Sequence, residues 1–166
     1  MVQAWQTDYA ETISTTHFEG TPAEPISELR SERIAQVVIP AGRLVVPGTT
    51  EKQLKLPTSA AEVAKAMGVS VLMPLKSESG TDFAIGDAVL FCEDGVIWVV
   101  VEEAVNDGDP ALARHTANGG NTVLGRFRTT ADTGAAAVPS ARFRSASVTF
   151  GSLLLAKLKF DLPATG

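Results

Sequence analysis

Residues 88–105 read AVLFCEDGVIWVVVEEAV. Two apolar runs flank Asp94-Gly95, a dipeptide that tolerates the positive φ values of a type I′ turn, so the stretch predicts a β-hairpin turning at that pair. The second run, Val96-Ile97-Trp98-Val99-Val100-Val101, is β-branched or aromatic at every position. It has no polar face. Such a strand has to be covered on both sides, by its own domain or by a second subunit. None of its side chains offers chemistry, so the centre of the chain reads as built for packing.

Outward from it, short apolar segments alternate with Gly, Pro and Asn punctuation. Residues 35–39 and 43–46 predict strands closed by Pro40-Ala41-Gly42 and Pro47-Gly48. Residues 52–56 alternate polar and apolar as a half-exposed strand does. Ser59-Ala60-Ala61-Glu62 fits a capping box and predicts about two helical turns to Met67, with Gly68 as the C′ residue. Strands are expected again over 69–73, 111–115, 122–128 and 141–150. Asn106-Asp107-Gly108-Asp109-Pro110 and Asn118-Gly119-Gly120-Asn121 predict tight turns, and the alanine-rich residues 129–140 a long surface loop. In the last strand, Leu154, Ala156, Leu158, Phe160 and Leu162 share one face, and Leu153, Leu155, Lys157, Lys159 and Asp161 the other. Residues 1–31 differ in texture: threonines and prolines with Trp5, Tyr9, Ile13 and Phe18 thinly spaced. They predict an extended N-terminal arm with aromatic anchors, ahead of a β-rich domain over 32–166. The fold class expected is all-β, a β-barrel or jelly-roll-like β-sandwich with one short helix.

The chain has 166 residues, enough for one domain with its own core. A single cysteine, Cys92, rules out an intrachain disulfide and fits a reducing compartment or a particle assembled inside a cell. No basic-then-apolar start suggests a signal peptide, and no apolar run reaches the ~18 residues of a membrane span. Net charge is −5 but unevenly spread: residues 111–166 carry seven bases against two acids. That basic third suits either acidic neighbouring strands or an acidic partner surface. Nucleic acid is not the expected partner of a chain with a pI near 5.0.

Catalytic signatures are missing. There is no phosphate loop, no G-x-G-x-x-G after a strand, no H-E-x-x-H and no C-x-x-C, so neither a cofactor nor a metal is expected. Cys92 sits in an apolar strand, the setting of an inert thiol. His115, Asp109 and a serine could be drawn as a triad, but no serine lies in a G-x-S-x-G elbow. Asn106–Asp109 lacks EF-hand spacing and reads as a turn. Glu102 and Glu103, adjacent on a strand, are expected on opposite faces. Arg126/Arg128 and Arg142/Arg144 form two R-x-R pairs, each on one face of its strand.

From residue 86 onward a succession of short motifs accumulates: Gly86-Asp87-Ala88-Val89, Gly95-Val96-Ile97-Trp98-Val99, Gly108-Asp109-Pro110, Leu124-Gly125-Arg126-Phe127, Ala131-Asp132-Thr133, Ala141-Arg142-Phe143 and the closing Leu154-Ala156-Leu158 strand. In this order they resemble the structural cement proteins of tailed bacteriophages, over roughly residues 34–162. The resemblance implies a β-rich, non-enzymatic, oligomeric protein that binds the outside of the capsid and cements neighbouring major capsid subunits. The implied partners are the major capsid protein and further copies of the chain, a homotrimer before a dimer, with no membrane or nucleic acid. The implied location is the virion surface, after assembly in the host cytoplasm. The contact residues expected on this reading are Trp5, Tyr9 and Phe18 in the arm, Trp98 in the central strand, and Arg126, Arg128, Arg142 and Arg144. The rival readings are a glycan- or ligand-binding β module on a virion, against which only 6% aromatic residues count, and a β-barrel hydrolase, which lacks its catalytic set.

Overall fold

The structure, a computed structural model, describes residues 19–72 and 82–161. Its elements in chain order are β1 (Glu28–Ala35), β2 (Ile39–Pro40), β3 (Leu44–Pro47), β4 (Gln53–Lys55), α1 (Ala60–Val63), β5 (Gly68–Ser70), β6 (Asp82–Phe83), β7 (Ala88–Val100), β8 (Pro110–Arg114), β9 (Phe127–Arg128), β10 (Ala135–Phe143), β11 (Val148–Phe150) and β12 (Leu153–Asp161). The expected barrel with one short helix is there. Strands β1, β4, β3, β5 and β7 pair in that order, and β1 pairs back to β7, closing a five-strand ring. Ala35, Val45, Leu54, Val89 and Phe91 fill it, joined by Ile39 and Phe83 from the small β2–β6 ladder.

The central stretch is not a hairpin. β7 runs unbroken for 13 residues through Asp94-Gly95, where Asp94 pairs with Asp161 and Gly95 with Phe160 on β12. On its other edge the register with β1 slips by one residue between Leu29↔Cys92 and Glu28↔Asp94, so β7 carries one extra residue there. The slip inverts the alternation. Val89 and Phe91 point into the barrel, Cys92 points away, and beyond the slip it is Ile97, Val99 and Val101 that join Cys92 in the second core. The extra residue is Glu93, so the Asp-Gly pair directly follows a β-bulge instead of forming a turn. Gly95 is needed for space: a Cβ there would lie 2.9 Å from Cys92 Sγ and 3.2 Å from Ile26.

Both edges of β7 are covered by the chain itself, and only the face that carries Trp98 is left partly open. Residues 20–27 continue the line of β1 along it, with Gly20 N–H bonded to the Trp98 carbonyl at 2.8 Å and Ala23 N–H to that of Val96 at 2.8 Å. On the opposite edge lie β5 and then β12. From β12 the sheet continues through β10 and β8 to β9, and a bridge from Val101 to Phe127 brings it back beside the end of β7. Between this curled sheet and the outside of the barrel lies the second core, with Val46, Val63 and Val69 from the barrel side and Phe127, Phe143, Leu158 and Phe160 from the sheet. Burying each such phenylalanine stabilises the fold by ~1.5–3 kcal/mol.

The helix is shorter than expected. Ser59 does cap it, accepting from Glu62 N–H, but α1 is a single turn and Gly68 belongs to β5. Glu62 reaches back to Thr58 N–H at 2.7 Å and to Lys55, which ties the turn to β4 and not to a second turn. Gly68 is required by the close approach of the Cys92 carbonyl, 2.3 Å from where a Cβ would stand. Residues 135–140, expected in a loop, open β10, because the alanines fit under β8. Of the strand expected over 122–128 only Phe127–Arg128 pairs. The β texture begins at Glu28, earlier than the expected Ile34. The alternation in β12 matches its sequence: Ala156, Leu158 and Phe160 are fully buried while Lys157 and Lys159 sit on the other face.

Candidate functional site

Two groups of charged residues stand out, and they differ in burial. The first is closed. Arg114, wholly buried on β8, donates from Nε and Nη2 to the two carboxylate oxygens of Glu102, both at 2.7 Å, and from Nη2 to Asp132 at 2.7 Å. Arg128 on β9 joins Glu102, Glu103 and Asp132 and donates to the Thr130 carbonyl. Glu103 accepts from the Thr129 and Thr130 amides at 2.9 and 2.6 Å. Burial pushes the Glu103 carboxyl up, but these amides outweigh it and the net shift is downward. The contact with Arg114 holds Asp132 down to about 2. Glu102 and Glu103 do not point to opposite faces as expected, because β7 has ended at Val100 and the chain bends there, turning both toward Arg128. The cluster pins residues 129–134 over β8 and β9. No single motif announces it, since its members are spread over 102–132, but two of the motifs that carry the family resemblance, L-G-R-F and A-D-T, border or supply it.

The second group is open. Opposed residues of antiparallel strands share a face, so Trp98 and Val96 on β7 lie beside Lys157 and Lys159 on β12. Lys159 in turn opposes Arg142 on β10, and Arg144 follows, its N–H bonded to the Lys157 carbonyl at 2.8 Å. Arg142 reaches that face across a second bulge: the β8 register shifts between Ala137 and Arg142, and Ser140 there has φ of 58°. A shallow groove of about 480 Å³ lies over this stretch, lined by Ser140, Arg142, Arg144, Lys159 and Asp161. Lys159 ion-pairs with Asp94 at 2.5 Å and Arg142 donates to the Gly108 carbonyl at 3.1 Å. Among the described residues, the Arg144 guanidinium has no hydrogen-bond or ion-pair partner.

The structure thus gathers three of the expected contact residues, Trp98, Arg142 and Arg144, on one solvent-facing sheet face. Arg126 and Arg128 are elsewhere. Arg128 is committed to the closed cluster, and Arg126 is half-buried beside Arg43, its side chain pushed below the usual arginine range by burial. Arg43 itself is buried, ion-paired with Glu19, and lowered to about 9 by burial and by the Arg126 charge. Trp5, Tyr9 and Phe18 lie outside the described residues. Lys157 and Lys159 were missed as members of the face; their alternation along β12 was visible, but the strand beside them was not.

His115 and Asp109 do local work: the imidazole Nδ1 contacts Thr116 Oγ1 at 2.9 Å, and Asp109 accepts from Asn106 N–H within its own turn. Among the described residues no three His, Cys, Asp or Glu side chains are grouped to hold a metal ion. The family described as structural cement protein (E217 gp24/Pam3 gp6) matches residues 6–158. The chain belongs to the phage structural cement protein family. The cement fold recurs in a chain of the capsid of Myoviridae phage XM1, at a TM-score of 0.64 and 16% identity, over 91% of this chain and 96% of that one. No curated protein sequence matches this cement protein. Its family assigns it a structural, cementing role in a phage.

Proposed function

We propose that this cement protein binds the outside of the capsid and ties neighbouring major capsid subunits together, without enzymatic activity, as a closed homo-oligomer, a trimer before a dimer. The observation that carries the reading is the open face of β7, β12 and β10, where Trp98, Arg142, Arg144, Lys157 and Lys159 lie together on a rigid sheet. A half-buried aromatic beside a row of cations has the composition of a docking surface. Many copies, each bound modestly, would stiffen a shell through multivalency. Arg126 and Arg128 support the body of the protein in this reading and the arginines of β10 make the contact.

Of the expected arm over residues 1–31, residues 1–18 are proposed as the part that reaches across neighbouring subunits. Residues 20–31 are hydrogen-bonded or paired along β7, so a truncation that probes the arm without unzipping the barrel stops at Phe18. The test is cosedimentation of the protein with capsids lacking it. Saturable binding by the full chain and weaker binding by the truncated one are expected; no binding by the full chain contradicts the reading. Light scattering on the purified protein reports the oligomer, and a monomer at all concentrations contradicts the closed assembly.

A further inference from the structure

We infer that the groove over β10 and β12 receives an acidic segment of a protein partner, whose carboxylates pair with Arg144 and Arg142. The inference rests on the docking role proposed above and names the chemistry of what docks. Three cations and one carboxylate, Asp161, line the groove. Lys159 is already satisfied by Asp94, and Arg142 spends one nitrogen on the Gly108 carbonyl. Arg144 is spent on nothing among the described residues. A guanidinium presents a planar fork of donors that matches a carboxylate in two parallel hydrogen bonds. Its neighbour Arg142 is held at a fixed offset by the pairing with Lys159, so the two forks form a short row suited to two carboxylates on one extended segment.

The rest of the face argues against a polyanion. Asp161 and Asp94 stand at one end of the same surface, where evenly spaced phosphates would meet them, and the whole chain carries a net charge of −5. A short acidic segment need not reach the two aspartates, and it brings fewer charges to a chain that is itself acidic. It can place carboxylates over the arginines and an apolar residue toward Trp98.

The test compares the full chain with R142Q/R144Q and R144K on purified capsids lacking the protein, across a salt series. Circular dichroism and thermal melts confirm folding of each variant, which is expected because both arginines are exposed. Capsid binding by the double variant is expected to fall about tenfold or more and to lose most of its salt dependence, with partial recovery in R144K. Unchanged binding and salt response in the double variant overturn the inference and the contact assigned to the β10 arginines, while leaving capsid binding by the protein intact. Failure of the unaltered protein to bind capsids overturns the docking role and this inference with it. Arginine-dependent binding to a short DNA duplex in place of capsids overturns the assignment of an acidic protein segment.

Discussion

The Lys157 ammonium sits 5.5 Å from the centre of the Trp98 ring, on the strand directly beside it. The cation stands over the indole and competes with water for its face, a contact worth ~0.5–1 kcal/mol at an exposed site. Trp98 is therefore restrained by its neighbour strand. It is also a built-in reporter, because the only other tryptophan is Trp5. In a Trp5→Phe protein, adding capsids should shift Trp98 emission to shorter wavelength as water leaves the ring. A spectrum indifferent to saturating capsids would mean that this face stays exposed in the complex.

The buried cluster around Arg114 makes a stability prediction. Removing one member of a buried ion pair leaves its partner charged and unsatisfied, at a cost of ~3–5 kcal/mol. Arg114→Met should lower the melting temperature steeply, since Glu102, 2% exposed, loses two hydrogen bonds. Adding Glu102→Gln to it should recover part of the loss. A double variant that melts lower still than Arg114→Met would show that the cluster does not work as a unit.

Acid should unfold the protein late. Asp132 is held at about 2 by Arg114, against an ordinary 3.8, and Glu62 at about 2 by Lys55 and the Thr58 amide, against 4.5. A carboxylate depressed in the folded state favours folding fully above its unfolded value, and that support drains away as the pH falls through the folded one. Stability from these two groups should hold down to about pH 4.5 and be lost between there and about pH 2. Asp132→Asn should be less stable at neutral pH and flatter through that window. A loss of stability concentrated above pH 5 would contradict this.

Gly95 and Cys92 test the bulge together. Burial, then the Asp94 charge, raises the Cys92 thiol to about 12, so on the order of one molecule in ten thousand is thiolate at pH 8. A thiol reagent should find no reactive cysteine until the protein unfolds. Gly95→Ala forces a methyl toward Cys92 Sγ and Ile26 and should cost ~1–3 kcal/mol. If Asp94-Gly95 formed an exposed turn instead, the alanine would be felt through φ alone and Cys92 would stay shielded in both proteins. Accelerated labelling of Cys92 in Gly95→Ala separates the two.

What was legible in the sequence followed from local chemistry. The apolar run of β7, the two faces of β12, the Ser59 cap and the Asn-Gly and Asp-Pro turns each depend on residues a few positions apart. The errors came where distant strands decided the outcome. Asp-Gly permits a turn, but pairing with residues 20–35 on one edge and with β12 on the other holds the chain straight. Residues 135–140 lack bulk, and only the presence of β8 beside them makes their small size a packing advantage. Trp98, Arg142 and Arg144 stand out one by one in the sequence, but the surface they share is assembled by the β7–β12–β10 register. Arg128 resembled Arg142 in its R-x-R setting, and only tertiary structure sets Glu102, Glu103 and Asp132 around it.

The most direct measurement is a cryo-electron reconstruction of capsids carrying this protein, at a resolution that orients its strands. The outer face of β7, β12 and β10 is expected to be turned toward the major capsid protein where neighbouring subunits meet, with Arg142 and Arg144 against acidic side chains. The same face turned to solvent, with the body held to the shell by another surface, would contradict it.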